Sequence, residues 1–175
     1  MKAVDHALLE RFVQLAGQRL SGDWVVMGGG VLPLLGIEHR VTVDVDIAGP
    51  ESAGQEQTLA LMHIAEELGL PVEAINQAGA FFLHRIEGWR EELVTVHEGP
   101  GATIHRPNVT LFMLLKIPRL SEADLSDCLE MLRWASRGGE EPDTRRILSA
   151  IERALDDCAS QPRHVRLESL ADALA

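Results

Sequence analysis

Aromatic residues and cations are both scarce in this chain. Aromatic residues make up 4% of its 175 residues, and tyrosine is absent altogether. Single-stranded nucleic acids are commonly held by bases stacked on aromatic rings, so this scarcity argues against a stacking platform. The chain carries 16 Lys and Arg against 27 Asp and Glu, a formal net charge of -11. That charge argues against nonspecific binding to a phosphate backbone and suits a protein that attracts cations to an acidic site, although a local basic patch is compatible with it.

Cysteines and long apolar runs are scarce as well. The two cysteines, Cys128 and Cys158, form no CxxC motif and provide no disulfide framework, so a reducing compartment is the simplest expectation. No apolar stretch reaches the roughly 20 residues that a transmembrane helix needs. The first residues include Asp5 and Glu10 where a signal peptide requires an apolar run. We therefore expect a cytoplasmic protein with no membrane partner.

The spacing of apolar residues in the first part of the chain predicts an α+β fold. Apolar residues recur at helical spacing over 3–20 and 56–69, whereas DWVVM and the alternating segment 41–48 are typical of strands. The stretch ELVTVHEGPGATIHR predicts a β-hairpin that turns at Gly99 to Gly101. These elements predict a small mixed sheet flanked by helices.

The last third of the chain is predicted to be helical. One apolar helix begins near Asn108, and a second begins after Ser121, which is followed three residues later by the acidic Asp124 typical of a capping box. We expect an α+β core over 1–107 and a C-terminal helical region over 108–175 that packs on that core.

Three glycines and two aspartates follow one another between two predicted strands. Gly28 to Gly30 end the strand DWVVM, and such a turn exposes backbone amides to which phosphate oxygens can come close. Asp44 and Asp46 lie two residues apart on the predicted strand 41–48, so their carboxylates leave one face about 7 Å apart. Carboxylates so placed can hold Mg²⁺, which takes its other ligands from water and phosphate. The alternative is an ordinary tight turn followed by the wet face of a half-exposed strand.

The same residues resemble the signature of the nucleotidyltransferase superfamily, which has the polymerase-β-like fold. The resemblance is to uncharacterised bacterial nucleotidyltransferase-like families beside the AbiEii toxins of toxin–antitoxin systems, and it extends over about residues 24–135. It rests on the glycine pair Gly28-Gly29, Leu35-Gly36, Arg40, Thr42 and Asp44-x-Asp46, and on a later helix, LFMLLKIPRLSEADLSDCLEML, with Lys116, Arg119, Asp124 and Asp127.

The resemblance implies a nucleotidyltransferase-type sheet and a set of site residues. Asp44 and Asp46 would hold Mg²⁺ and, with Lys116 near the phosphates or the attacking group, form the catalytic set. The nucleoside triphosphate would be bound by Gly28, Gly29, Gly30, Arg40 and Thr42. Two alternatives stay open from the residues themselves: Lys116 reaches water by extending its side chain, and Arg119 forms only an ion pair at a helix cap.

One departure from the family pattern leaves two functions open. Active members carry a third carboxylate on a later strand, whereas the matching segments here offer Thr95, His97, Thr103 and His105. The first function is a Mg²⁺-dependent transfer of a nucleoside monophosphate from a triphosphate to an acceptor hydroxyl on RNA, protein or a small molecule. The second is a catalytically inactive relative that acts as a binding partner or antitoxin. A cognate toxin or antitoxin partner and a homodimer are compatible with both.

The two hairpin histidines have a functional and an ordinary interpretation. If His97 and His105 face each other from neighbouring strands, they make a two-histidine metal pair, or one of them serves as a general base. The ordinary interpretation is that both line the solvated face of the hairpin.

Overall fold

The structure is a computed structural model that describes residues 3–175. The chain divides into two compact units, Met1–Pro107 and Asn108–Ala175. The boundary between the units lies where the sequence pattern changes from mixed helices and strands to helices alone. The packing of the helical region on the core stays a prediction.

The first unit contains both helices and strands, which confirms the α+β fold class. Short 3₁₀ turns cover Gly28–Gly30, Val72–Ala74 and Trp89–Glu92. The helices are α1 (His6–Arg19), α2 (Val31–Leu34), α3 (Gln55–Glu67) and α4 (Ala80–Leu83), and the strands are β1 (Gly22–Met27), β2 (Val45–Ala48), β3 (Ile75–Asn76), β4 (Leu93–Glu98) and β5 (Ala102–Pro107).

The five strands form one mixed sheet in the order β3-β2-β1-β5-β4. The central strand β1 runs antiparallel to β2 and parallel to β5. The register places Met27 opposite Asp46. It also places Val25 opposite Ala48 on one side and opposite His105 on the other. The glycine turn therefore leaves the sheet beside the strand that carries Asp46.

One face of the sheet forms the hydrophobic core with α1 and α3. Because side chains alternate along a strand, Trp24 and Val26 of β1 enter this core together with Ile104 of β5, and all three are fully buried. Helix α1 begins at an N-cap, Asp5, whose carboxylate accepts a hydrogen bond from Leu8 N at 2.8 Å. The opposite face of β1 carries the alternate residues, which leaves that face for a site.

The prediction of a strand over 41–48 is wrong in its first half. The strand begins only at Val45. The preceding residues do not alternate as expected, because Val41 is 72% exposed and Thr42 is buried. The carbonyl of Thr42 accepts a hydrogen bond from Val4 N at 2.8 Å, so this backbone pairs with the segment that leads into α1.

The second unit is helical. It consists of α5 (Val109–Lys116), α6 (Glu122–Ser136), α7 (Thr144–Asp156) and α8 (Gln161–Leu174). Asn108 caps α5, and the capping box of Ser121 and Asp124 at the start of α6 is confirmed. Over residues 3–175, no helix has both the length and the apolar composition needed to cross a membrane.

Candidate functional site

Gly28 and Asp46 are in close contact across the β1–β2 pair. Gly28 has φ +62, a backbone conformation that residues with a side chain rarely adopt. A Cβ at this position would overlap Asp46 Oδ2 and would lie 3.0 Å from Asp46 Cγ. Position 28 therefore requires glycine for two reasons: its backbone conformation, and the space that the Asp46 carboxylate occupies.

A cationic and a hydroxyl side chain border the next glycine. A Cβ at Gly29 would lie 2.8 Å from Arg40 Nη2 and 3.4 Å from Thr42 Oγ1. Arg40 is exposed and Thr42 is buried. The structure thus brings together five of the residues singled out in the sequence: Gly28, Gly29, Arg40, Thr42 and Asp46. Gly30 differs, because a Cβ there would meet only core side chains, the nearest at 3.8 Å. The nucleotide-binding role of Gly30 stays a prediction, and only its backbone amide could serve that role.

The two aspartates do not share one strand. Asp46 lies within β2 and is half-buried, whereas Asp44 precedes the strand and is exposed. The prediction that both belong to one regular strand is therefore wrong, for the reason given for residues 41–44. The metal-binding role of the pair stays a prediction.

Asn76 is a site residue that the sequence interpretation missed. Its Nδ2 donates a hydrogen bond to Asp46 Oδ1 at 2.9 Å, and its own Oδ1 accepts one from Ala78 N at 3.0 Å. The second bond fixes which end of the amide faces the carboxylate. The contact arises because β3 pairs with β2 in parallel, with Asn76 opposite Asp46. A two-residue strand has no periodicity, so nothing in the local sequence indicates this pairing.

The donor atoms suit magnesium better than a metal held wholly by protein. Within the described part of the chain, no group of three or more His, Cys, Asp or Glu side chains could hold a metal ion. Asp44 and Asp46 supply carboxylate oxygens, and Asp46 Oδ1 also accepts a hydrogen bond from Asn76. Mg²⁺ is commonly held by one or two carboxylates while water and substrate phosphate complete its shell. The residues present fit that ion.

Lys116 lies in the second unit and is paired there. Its ammonium donates to Asp124 Oδ1 at 3.0 Å and to Asp127 Oδ2 at 2.9 Å, and the residue is only 7% exposed. The alternative that Lys116 extends to water is therefore wrong. Its catalytic role stays a prediction, although two carboxylates already neutralise its charge.

Asp124 is the centre of this buried ion cluster. Arg119 donates two hydrogen bonds to it, each of 2.7 Å, and Ser121 Oγ donates a third at 2.8 Å. Burial by itself raises the pKa of Asp124, but the hydrogen bonds from Arg119 and the charge of Lys116 outweigh it and hold that pKa well below its usual range. Arg119 thus does more than pair loosely at a helix end, because it stabilises the ionised form of a buried carboxylate.

A β-bulge separates the two hairpin histidines. Thr95 lies opposite His105, but His97 lies opposite Ile104. His97 lies against α1, since a Cβ at Gly17 would be 2.6 Å from His97 Cδ2. A two-histidine pair is therefore wrong. His105 instead contacts Asp23 Oδ1 through Nε2 at 3.1 Å and Thr95 Oγ1 through Nδ1 at 3.3 Å.

The arrangement in the first unit combines groups for an anion with groups for a cation. The glycine turn, Arg40 and Thr42 suit a polyanion such as a phosphate chain, and Asp44 and Asp46 suit a divalent cation. Comparisons with family models, with curated proteins and with solved structures found no match to this chain.

Proposed function

We propose that the first unit binds a nucleoside triphosphate with Mg²⁺ at the Gly28-Gly29 turn and transfers its nucleoside monophosphate to an acceptor hydroxyl. The observation that supports this most is the contact of Gly28 with Asp46, which places a carboxylate directly beside a side-chain-free turn. A phosphate held on the turn would thereby lie next to the carboxylate that binds its metal ion.

The polyphosphate would be held by the groups around the glycine pair. The backbone amides of the turn at Gly28 and Gly29 would donate hydrogen bonds to phosphate oxygens. The guanidinium of Arg40 lies close to Gly29 and supplies positive charge and several N–H donors. The hydroxyl of Thr42 supplies a further donor on the same side of the turn. The whole chain has a net charge of -11 and would repel an anionic ligand, so the positive charge of Arg40 would favour binding of the phosphates at this place.

The metal ion would be held by the two aspartates. Asp46 and Asp44 would provide its protein ligands, and Asn76 would keep the Asp46 carboxylate in its observed orientation by donating to Oδ1. Mg²⁺ bound there supplies charge neutralisation on the phosphates.

The transfer exchanges one phosphorus–oxygen bond for another. The acceptor oxygen forms a bond to the α-phosphorus, and the bond between that phosphorus and the α,β-bridging oxygen breaks. Pyrophosphate leaves with the electron pair, and the hydroxyl proton passes to water. The residues of this chain contribute by positioning the triphosphate and by compensating its charge, as in other phosphoryl transfers.

A second candidate function is favoured by the residues on β5. This strand lies beside β1, and its positions that face away from the core carry Thr103 and His105, with His105 already bonded to Asp23 and Thr95. Active members of the nucleotidyltransferase superfamily carry a third carboxylate on a later strand, whereas β5 offers a hydroxyl and an imidazole. This difference suits a protein that binds a nucleotide without catalysing transfer and acts as a binding partner or antitoxin.

The two functions are separated by an assay for covalent transfer. Wild-type protein is incubated with Mg²⁺ and each of the four ribonucleoside triphosphates labelled at the α-phosphate, together with total RNA and a protein mixture. We expect label in an acceptor, and loss of that label on removal of Mg²⁺ or in Asp46→Asn. Binding of the triphosphate without transfer supports the second function. Neither binding nor transfer contradicts both.

A further inference from the structure

A cavity lies on the sheet face that points away from α1 and α3. Its volume is about 550 Å³, which is within the range of roughly 300–1,000 Å³ typical of small-molecule sites. Val25 of β1 and Ala48 of β2 line it from the sheet, and Leu83 of α4 lines it from the covering segment. All three are buried, so this part of the cavity is apolar.

The cavity begins next to the proposed triphosphate site. Ala48 and Asp46 are two residues apart on β2 and therefore point to the same face of the sheet. Their separation along the strand is about 7 Å. On the neighbouring strand β1, Val25 pairs with Ala48 and Met27 pairs with Asp46, so these two residues are also two positions apart. A ligand bound at Asp46 would therefore need to extend by only two residues along the strands to reach the cavity.

One wall of the cavity consists of planar groups. His84 and Trp89 have ring centroids 5.4 Å apart, and the guanidinium of Arg90 lies 4.3 Å from the centroid of the Trp89 ring. All three residues line the cavity. Such rings and guanidinium planes are the surfaces on which nitrogen heterocycles stack.

Polar side chains from β1, β4 and β5 also line the cavity. Thr95 contributes a hydroxyl and His105 an imidazole, which are joined at 3.3 Å, and Asp23 contributes a carboxylate 3.1 Å from the other imidazole nitrogen. Both ring nitrogens of His105 are engaged by these two partners, so the Thr95 hydroxyl and the Asp23 carboxylate supply the hydrogen-bond donor and acceptors that a ligand meets. They match the edge of a heterocyclic base or the hydroxyls of a ribose better than they match a purely apolar ligand.

We propose that this cavity binds a ribonucleoside, with its base against the Trp89 wall and its polar edge at the Thr95 hydroxyl and the Asp23 carboxylate. The inference rests on the proposed function of the neighbouring site. The ribonucleoside has two sources, the triphosphate itself and the terminal residue of an RNA acceptor. A volume of about 550 Å³ accommodates either.

The test uses calorimetric titration of the full chain with two kinds of probe. The first kind is a free ribonucleoside, taken from adenosine, guanosine, cytidine and uridine. The second is inorganic tripolyphosphate with Mg²⁺, which has no nucleoside. Thr95→Val removes a hydroxyl from the cavity, and His105→Gln replaces the imidazole that joins Thr95 to Asp23. Thr103→Val is the matched control, because it alters a threonine of the same hairpin that does not line the cavity.

We expect at least one ribonucleoside to bind, and Thr95→Val to weaken that binding roughly five- to tenfold, the effect of one lost hydrogen bond. Thr103→Val should leave it unchanged, and both variants should bind tripolyphosphate as the wild type does. Competition by a non-hydrolysable triphosphate identifies the triphosphate's own nucleoside as the occupant. Binding alongside that triphosphate identifies the RNA acceptor.

The inference and the proposed function fail in different ways. Absence of ribonucleoside binding, or equal effects of Thr95→Val and Thr103→Val, overturns the inference whatever tripolyphosphate does. Ribonucleoside binding that is sensitive to Thr95→Val, in a protein that ignores tripolyphosphate, supports the cavity and contradicts the triphosphate site. Should His105→Gln fail to fold, Thr95→Val decides the question, because its side chain is exposed and its substitution keeps the shape.

Discussion

The carboxylate of Asp46 lies so close to Gly28 that a single added methyl group would overlap Asp46 Oδ2. The register of β1 and β2, with Met27 opposite Asp46, produces this contact. It means that the conformation of the turn and the position of the carboxylate depend on each other. A change in either residue should be detected at the other.

Gly28→Ala should damage both stability and ligand binding, and Gly36→Ala separates the two effects. Both glycines have positive φ, +62 and +75, but a Cβ at Gly36 would meet nothing within 4 Å. Gly36→Ala should lower the free energy of unfolding by about 1 kcal/mol through backbone strain alone. Gly28→Ala should lower it further and weaken binding of a Mg²⁺–triphosphate about tenfold or more, a loss of roughly 1.4 kcal/mol.

Urea unfolding and calorimetry of the two variants check this prediction. Equal losses of stability, with triphosphate binding intact in both variants, would show that the contact between Gly28 and Asp46 has no consequence for the site.

Asn76→Ala should weaken Mg²⁺-dependent nucleotide binding several-fold, because Asp46 Oδ1 loses the donor that orients it. Gln77→Ala, a change at the exposed neighbouring position, is the control and should have no effect. Asn76→Ser keeps a short hydrogen-bonding side chain and should restore part of the affinity. The measurement is the apparent Kd for Mg²⁺ at a fixed triphosphate concentration. An unchanged Kd in Asn76→Ala would remove Asn76 from the site.

The parts of the site that are local in sequence were predictable, and the parts that depend on pairing were not. The strand that precedes Gly28 and the capping box at Ser121 follow from patterns of a few residues, and both are present. The late start of β2 at Val45 accompanies a backbone hydrogen bond between Thr42 and the segment before α1, which the alternation of valines does not reveal.

The contacts of Asn76 and of His105 illustrate the same limit. Asn76 meets Asp46 through a strand of only two residues. His105 is separated from His97 by a bulge, which shifts one of the two histidines to the other face of the hairpin. Neither feature has a local sequence pattern, because each depends on which strands become neighbours.

Lys116→Met should lower the free energy of unfolding by about 3–5 kcal/mol, since it leaves carboxylates buried without their ammonium partner. Arg119→Met is the matched change on the exposed side of the same cluster, where the guanidinium side chain is 77% exposed. It removes two hydrogen bonds to Asp124, but water screens its charge, so it should cost less than Lys116→Met. Chemical denaturation measures both.

Nucleotide binding by the same variants tests the catalytic prediction for Lys116. A purely structural lysine leaves the affinity of the folded protein for a triphosphate unchanged. A fall in affinity without a fall in stability would instead support the phosphate contact that the family resemblance implies.

Asp124 should make stability depend on pH in the acidic range. Its pKa is lowered in the folded protein relative to a usual value of 3.8, so the unfolded chain takes up the proton first as pH falls. The stabilisation is therefore complete above about pH 5 and is lost progressively below about pH 4. Urea unfolding between pH 6 and pH 3 should show a steeper loss in the wild type than in Asp124→Asn. Glu122→Gln is the control, because Glu122 lies in the same helical turn but is exposed, and it should show the pH dependence of the wild type. If Asp124→Asn also shows the wild-type pH dependence, Asp124 does not cause the loss of stability in acid.

The measurement that tests the central claim most directly is calorimetric titration of the wild type with each ribonucleoside triphosphate, with and without Mg²⁺, repeated in Asp46→Asn. The account predicts binding that requires Mg²⁺ in the wild type and a loss of at least about tenfold in affinity in Asp46→Asn, while the variant unfolds at the wild-type urea concentration. Binding of equal strength without Mg²⁺ or in Asp46→Asn, or no binding of any triphosphate, would contradict it.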